Sequence, residues 1–292
     1  ADFRIAVVNK NVPRTMGDSM IPMSIIDYFV EDDRALPVSD STEPNEHEKT
    51  IARYCAELIE DGSCLQLGIG SIPNAVLTCL TNHKDLGIHT EMFSDGVLPL
   101  IKKGVVTGSC KGLNKHKIVT TFALGTKKLY DFLDHNPYVL MKESSYTNDP
   151  FIIAQQPKMV SINSALQVDI SGQVCADSLG ARIYSGVGGQ TDFIYGASRS
   201  VGGKPIIAMP SITKNGVSKI VPSLAQGAGT VTTRSHMHWL ITEYGAVNLY
   251  GKSMQERAKL IISVAHPSAQ EELDKAAFER FGKHYYYVKG VI

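Results

Sequence analysis

Cysteine is scarce and unpatterned in this sequence. There are five (Cys55, Cys64, Cys79, Cys110 and Cys175), an odd number, and no C-x-x-C pair. A regular disulfide framework is excluded, and a reducing compartment is expected: cytoplasmic, or the mitochondrial matrix in a eukaryote. No apolar run approaches the roughly 20 residues needed to span a bilayer, and no secretory leader is visible at Ala1. Net charge is lacking too. The 29 basic and 29 acidic side chains cancel to +0, which argues against a nucleic-acid partner held by a broad basic field. Hydrophobic residues at 43% exclude disorder, and 25 Gly with 13 Pro exclude a collagenous or low-complexity chain. There is no G-x-S-x-G elbow, no Gly-Lys-Ser/Thr phosphate loop and no repeat of solenoid length. An initiator methionine is also missing, so the chain is expected to be a piece of something longer.

What is present is a sequence of 292 residues that alternates helix and strand signals. A strand-like run (4–8) and a second apolar run (21–30) precede an acidic, proline-containing linker over 34–45. Residues 1–33 are too few to fold alone and should pack on a domain that is partly or wholly absent. Beyond the linker, Asn45 and Glu48 form a capping box for a helix over 46–60. A strand (64–67) runs into Gly68-Ile69-Gly70 and a helix starting near Ser71, with Pro73 in its first turn. Strands are expected over 86–93, 117–124 and 204–210, a helix over 126–134, and a hairpin over 159–174 turning at Ser171-Gly172. A longer β region covers 230–244. Ser253 with Glu256 and Ser268 with Glu271 are further capping boxes. The pattern specifies an α/β fold with an open mixed sheet flanked by helices.

Three stretches can carry chemistry. Gln66-Leu67-Gly68-Ile69-Gly70-Ser71 places free backbone N–H groups and a helix N-terminus at one spot, suited to a phosphate, a carboxylate or an oxyanion. The alternative is a tight turn without a ligand. Gly186-Val187-Gly188-Gly189-Gln190 lets backbone approach a ligand closely; the alternative is a flexible surface loop. In a strand over 86–93, His89, Glu91 and Phe93 would share one face. Glu91 then lies near the carboxyl end, where open α/β sheets bind ligands, and can serve as nucleophile, base or metal ligand. The alternative is a solvated edge glutamate. His89-x-Glu91 and His236-x-His238 are poor metal pairs, lacking third and fourth ligands, and no metal is expected.

Taken in order, these stretches resemble the acetyl-CoA hydrolase/transferase family, which includes acetate, butyrate and 4-hydroxybutyrate CoA-transferases. Val119-Thr120-Thr121-Phe122-Ala123-Leu124-Gly125, Tyr146-x-Asn148-Asp149-Pro150, Ser161-Ile162-Asn163-Ser164-Ala165-Leu166-Gln167 and Thr242-Glu243-Tyr244-Gly245 extend the resemblance over nearly the whole chain. It implies a CoA-transferase-type open mixed sheet (NagB/RpiA/CoA-transferase-like). Residues 1–33 would be a remnant of an N-terminal domain, and 46–292 the C-terminal domain carrying the catalytic Glu. It implies CoA transfer between short-chain carboxylic acids (acetate with butyrate, 4-hydroxybutyrate or succinate) through a glutamyl-CoA thioester on Glu91. Gly189 would assist, and Gln66, Leu67, Gly68, Ile69, Gly70, Leu166, Gly186, Gly188 and Lys214 would contact coenzyme A, which enters as acyl-CoA substrate. Acetyl-CoA hydrolysis through the same Glu, or CoA binding without turnover by a fragment lacking its N-terminal domain, are the alternatives. The partners implied are acyl-CoA, a carboxylate acceptor, the N-terminal domain from the same gene or a partner chain, and a second copy in a homodimer, with no nucleic acid and no membrane.

Overall fold

The computed structural model describes residues 1–39, 43–68, 70–282 and 285. Short apolar segments rich in β-branched residues pair into its main sheet. They are β1 (Cys64–Leu67), β2 (Gly87–Ile88), β3 (Met159–Asn163), β4 (Lys204–Ala208), β5 (Trp239–Thr242) and β6 (Gly245–Asn248). The spatial order is β6-β5-β4-β3-β1-β2, parallel except for the β5–β6 hairpin at one edge. This is the open mixed α/β sheet expected.

Strand residues alternate between faces, and the sheet uses that to fill two cores. Ile206, Ala208 and Ile241 join Ile51 and Cys55 of α1 (Glu46–Glu57) and Val76 of α2 (Ser71–Cys79). Ile207 and Leu240 point the other way. They meet Ile194 of α3 (Gln190–Arg199), Ile261 of α4 (Met254–Ser263) and Leu273 of α5 (Pro267–Phe281). β1 is followed in the chain by β2 on one side, and β3 by β4 on the other. Connections leaving these two neighbours diverge, which opens a crevice beyond their carboxyl ends.

Two helix starts form as read. Asn45 Oδ1 accepts from Glu48 N at 3.0 Å while Glu48 Oε2 accepts from Asn45 N at 2.8 Å, and Ser253 with Glu256 repeats the arrangement. The third does not. Pro267 occupies the first position of α5, so His266 becomes the N-cap and its Nδ1 accepts from Ser268 N at 3.3 Å. Ser71 likewise lies inside α2, whose N-cap is Gly70 at φ +122°.

The expected strand over 86–93 is broken. β2 ends at Ile88, His89 makes a lone bridge to Val119, and Met92–Phe93 pairs with Phe122–Ala123. Residues 117–124 are accordingly two strands, Ile118–Thr120 and Phe122–Ala123. The hairpin is shorter than expected, because β3 belongs to the main sheet. Only Gln167–Asp169 and Val174–Cys175 pair as its arms. Asp169 Oδ1 holds the turn, accepting from Ser171 N, Ser171 Oγ and Gln173 N. Of 230–244, only β5 is a strand, preceded by a lone Thr232–Val174 bridge.

At the amino end, Ile5–Val8 pairs in parallel with Tyr28–Glu31, leaving Ile5, Val7, Tyr28, Phe29 and Val30 exposed. Met16–Gly17 instead joins Val139–Met141, which pairs in turn with Ile118–Thr120. Gly17, at φ +107°, lies so close to Met141 O that a Cβ would collide with it.

Where β2 leaves the main sheet, Lys111 fills the gap. It is 1% exposed, and its Nζ donates to Ile88 O and Lys117 O, each at 2.8 Å. Gly87 admits the stem, since a Cβ there would lie 2.6 Å from Lys111 Cγ. Burial holds the ammonium down to about 8 from 10.5. Between those values the unfolded chain keeps a proton that the folded chain has lost, so stability should rise with pH. At about 1.4 kcal/mol per unit the gain is at most roughly 3 kcal/mol. Other groups titrate in the same range, so the wild type should be compared with Lys111→Met by urea unfolding from pH 7.5 to 10.5. The difference between their curves should climb through this window; a flat difference contradicts the assignment.

Candidate active site

Crevice residues come first from β1 and β3. Gln66 and Asn163, on one face of these neighbouring strands and two register positions apart, exchange amide hydrogen bonds of 3.3 and 3.0 Å. Beyond them lies a cavity of about 150 Å³ lined by Gly68, Gly70, Ser71, Asn163, Glu48 and Pro210. Glu48 and Pro210 also line a larger cavity of about 770 Å³, together with Leu166, Lys214, Lys219 and Glu243. Gly68 and Gly70 line the smaller cavity and Leu166 and Lys214 the larger, and the two cavities share Glu48 and Pro210; Gln66 is buried and lines neither. Leu67 is buried at the end of β1; Ile69 lies outside the described residues.

Two carboxylates on the cleft wall are held by protein donors. Ser71 Oγ donates to Glu48 Oε1 at 2.5 Å, which ties the starts of α1 and α2 together. Glu243, just past β5, accepts from Ser211 N at 2.9 Å and Ser211 Oγ at 2.6 Å. Burial holds Lys219 down to about 8, opposed by the nearby Glu243 charge.

The break after β2 decides the position of Glu91. His89 and Phe93 are fully buried, while Glu91 is half-buried in a bend between β2 and Met92–Phe93. The three do not share a strand face as the unbroken pattern implied. His89 Nε2 lies 2.9 Å from Thr147 O; a carbonyl only accepts, so Nε2 carries the proton. Nδ1 is buried without a hydrogen-bond partner. Burial, reinforced by the Lys111 charge, pushes this imidazole down to about 4, so it stays neutral near pH 7. It is a core histidine, not one half of a metal pair with Glu91. Among the described residues no group of three or more His, Cys, Asp or Glu is arranged to hold a metal ion.

Glu91 meets the second glycine loop at a single point. A Cβ placed on Gly189 would collide with Glu91 Oε2, and would lie 2.6 Å from Asn148 Nδ2 and 3.3 Å from Phe193 Cδ2. Gly189 is the N-cap of α3, whose first N–H groups have no partner within the helix. Gly186 and Gly188 belong to an exposed stretch and have nothing within 4 Å of a built Cβ. Asp192, in the first turn of α3, has its carboxyl pushed up by burial and then by the Glu91 charge, while a hydrogen bond from Asn148 pulls it back. Asn148 thus stands between two carboxylates. The sequence places it in the Tyr146-x-Asn148-Asp149-Pro150 stretch of the resemblance but gives it no role, because its partners lie at positions 91, 189 and 192. The one local signal is the Asn-Asp-Pro turn, in which Asp149 caps the short helix Pro150–Ala154. A half-buried carboxylate beside an amide donor and a helix start is equipped to attack a carbonyl carbon and to stabilise the oxyanion that results.

Residues 125–277 match the family described as the acetyl-CoA hydrolase/transferase C-terminal domain. A 4-hydroxybutyrate coenzyme A transferase of Clostridium kluyveri is 51% identical over 282 residues, 96% of this chain and 66% of that protein. A succinyl-CoA:acetate/propanoyl-CoA:succinate CoA transferase of Fasciola hepatica is 49% identical over 279 residues, 94% of this chain and 58% of that protein. The chain thus spans about three fifths of the length of these relatives. The crystal structure of RipA from Yersinia pestis superposes with a TM-score of 0.91 at 40% identity, over 96% of this chain and 64% of that one. Matched over more than half its length by the family's own C-terminal domain, the chain belongs to the acetyl-CoA hydrolase/transferase family.

Proposed function

We propose that this chain is the nucleophile-bearing part of a CoA-transferase that moves CoA between short-chain carboxylic acids, acetate with butyrate, 4-hydroxybutyrate or succinate. The observation that carries the reading is the meeting of the Glu91 carboxylate, the Asn148 amide and the Gly189 backbone. The Glu91 carboxylate attacks the thioester carbonyl, and the oxyanion forms beside the Asn148 and Gly189 donors. The CoA thiolate leaves, giving a mixed anhydride. The thiolate then attacks the glutamyl carbonyl, releasing the first carboxylate and leaving CoA as a thioester on Glu91. The acceptor carboxylate reverses the path, and no net proton is consumed. The acyl-CoA lies along the cleft from Gly68 to Leu166 and Lys214, with Lys214 as a point charge for a phosphate.

Residues 46–292 form the C-terminal domain, 34–45 a linker, and 1–33 the end of an N-terminal domain supplied by the same gene or a partner chain. The longer relatives and the exposed apolar faces of the Ile5–Val8 and Tyr28–Glu31 pair support this, since parallel strands are ordinarily covered on both faces. The enzyme works as a homodimer in a reducing compartment. Transfer is favoured over hydrolysis by the relatives: the 4-hydroxybutyrate coenzyme A transferase of Clostridium kluyveri is 51% identical, whereas an acetyl-CoA hydrolase of Candida albicans is 29% identical.

With the N-terminal domain present, Glu91→Ala should abolish CoA exchange between acetate and butyrate. Glu91→Asp should slow it by about 100-fold or more, because the carboxylate retreats by one methylene. Wild-type exchange in Glu91→Ala contradicts the reading, and acyl-CoA consumption at full rate without an acceptor carboxylate contradicts transfer. Gly189→Ala supplies an independent check. Gly189 has φ −86°, so alanine brings no backbone strain, only the clash with Glu91 and Asn148. Exchange should fall by about 100-fold while the melting temperature stays near wild type. Full exchange in Gly189→Ala would show that the contact is dispensable.

A further inference from the structure

The Val119–Gly125 stretch and Thr147 have no part in the chemistry above, yet their hydroxyls converge on it. Thr147 is fully buried, and its Oγ1 contacts three groups: Thr121 Oγ1, Asn148 Oδ1 at 3.0 Å and Glu143 O at 3.3 Å. A hydroxyl has one proton to give. Glu143 O already accepts from Tyr146 N at 2.9 Å and from Thr147 N at 3.0 Å, so both of its lone pairs are occupied. Two acceptors then remain for the Thr147 proton, Asn148 Oδ1 and Thr121 Oγ1; when it goes to Asn148 Oδ1, the Thr147 oxygen is left as acceptor and Thr121 Oγ1 is its donor. His89 Nε2 pins the main chain of the same residue through Thr147 O.

We propose that Thr121 and Thr147 form a hydroxyl relay that sets the orientation of the Asn148 amide, which makes both of them positioning residues for the reaction. With Oδ1 engaged by Thr147, Nδ2 is the group turned toward Gly189, Glu91 and Asp192. A half-turn of the amide would present a carbonyl oxygen to two carboxylates and remove the donor from the forming oxyanion. Main-chain contacts act in the same place, because Thr121 N donates to Glu91 O at 3.0 Å. One residue thus fixes the nucleophile through its backbone and the amide through its side chain. The inference rests on Glu91 being the nucleophile.

The test is a double-mutant cycle in the enzyme complete with its N-terminal domain. Thr121→Val keeps the shape and removes the donor. It should lower kcat for CoA exchange about 10- to 100-fold with KM for acyl-CoA within about twofold. The melting temperature should shift by no more than about 4 °C. Thr121→Ser restores the hydroxyl and should recover at least about half of kcat. In an Asn148→Ala background, Thr121→Val should cost nothing further. Losses that multiply, a serine variant as slow as valine, or wild-type kcat in Thr121→Val each overturn the relay. Glu91→Ala runs alongside: if it is inactive, those outcomes count against the relay alone, and if it is active, the nucleophile reading falls and the relay with it.

Discussion

Two main-chain donors converge on the carbonyl of Glu91, Thr121 N and Phe122 N, each at 3.0 Å, and the Thr120 hydroxyl lies between this oxygen and Phe122 O. This cluster forms where the chain leaves the main sheet. β2 pairs with β1 for only two residues, after which the backbone crosses to the strand Ile118–Thr120 and its continuation. A regular ladder would have sent alternate side chains into the two cores, burying Glu91 or turning it to bulk water. The break holds the backbone rigidly while releasing the side chain beyond the strand end, where Asn148 and Gly189 meet it. Lys111 closes the gap from behind through Ile88 O and Lys117 O. Asp95 closes it from ahead, accepting from Thr126 N at 2.7 Å and Thr126 Oγ1 at 2.6 Å. The position of the Glu91 carboxylate thus depends on polar contacts made by its neighbours rather than on packing of its own side chain.

Much of the fold was legible locally. The strands Cys64–Leu67 and Lys204–Ala208 and the capped helices at Glu46 and Met254 follow from runs and spacings inside a few residues. Failures came where a distant partner outweighed the local pattern. The alternation over 86–93 looks like one strand, but Val119 and the donors around Thr121 divert it. Ser268-x-x-Glu271 has the spacing of a capping box, yet the neighbouring Pro267 sets the helix start two residues earlier, with His266 as the N-cap. The run at 230–244 carries β-forming residues, of which only Trp239–Thr242 finds a partner strand.

The site divides in the same way. Glu91 and the two glycine loops stand out in sequence because strand ends and glycines have local signatures. Asn148, Asp192 and Lys111 do not, since their roles depend on residues 40 or more positions away or on burial that no short window reveals. The balanced composition also acquires a local meaning. A net charge of +0 coexists with a cleft where helix starts, Lys214 and Lys219 supply positive potential beside Glu48 and Glu243, both already committed to protein donors. On the reading proposed here, a phosphate-rich ligand is met by placement of charge, not by its sum.

The central claim is that Glu91 becomes covalently attached to CoA. Peptide mass spectrometry of the complete enzyme, quenched after acyl-CoA is added without acceptor, tests this most directly. The account predicts CoA, less one water, on the peptide that contains Glu91, and its disappearance when a carboxylate acceptor is supplied. CoA exchange proceeding with no such adduct, or with the adduct on another residue, would contradict it.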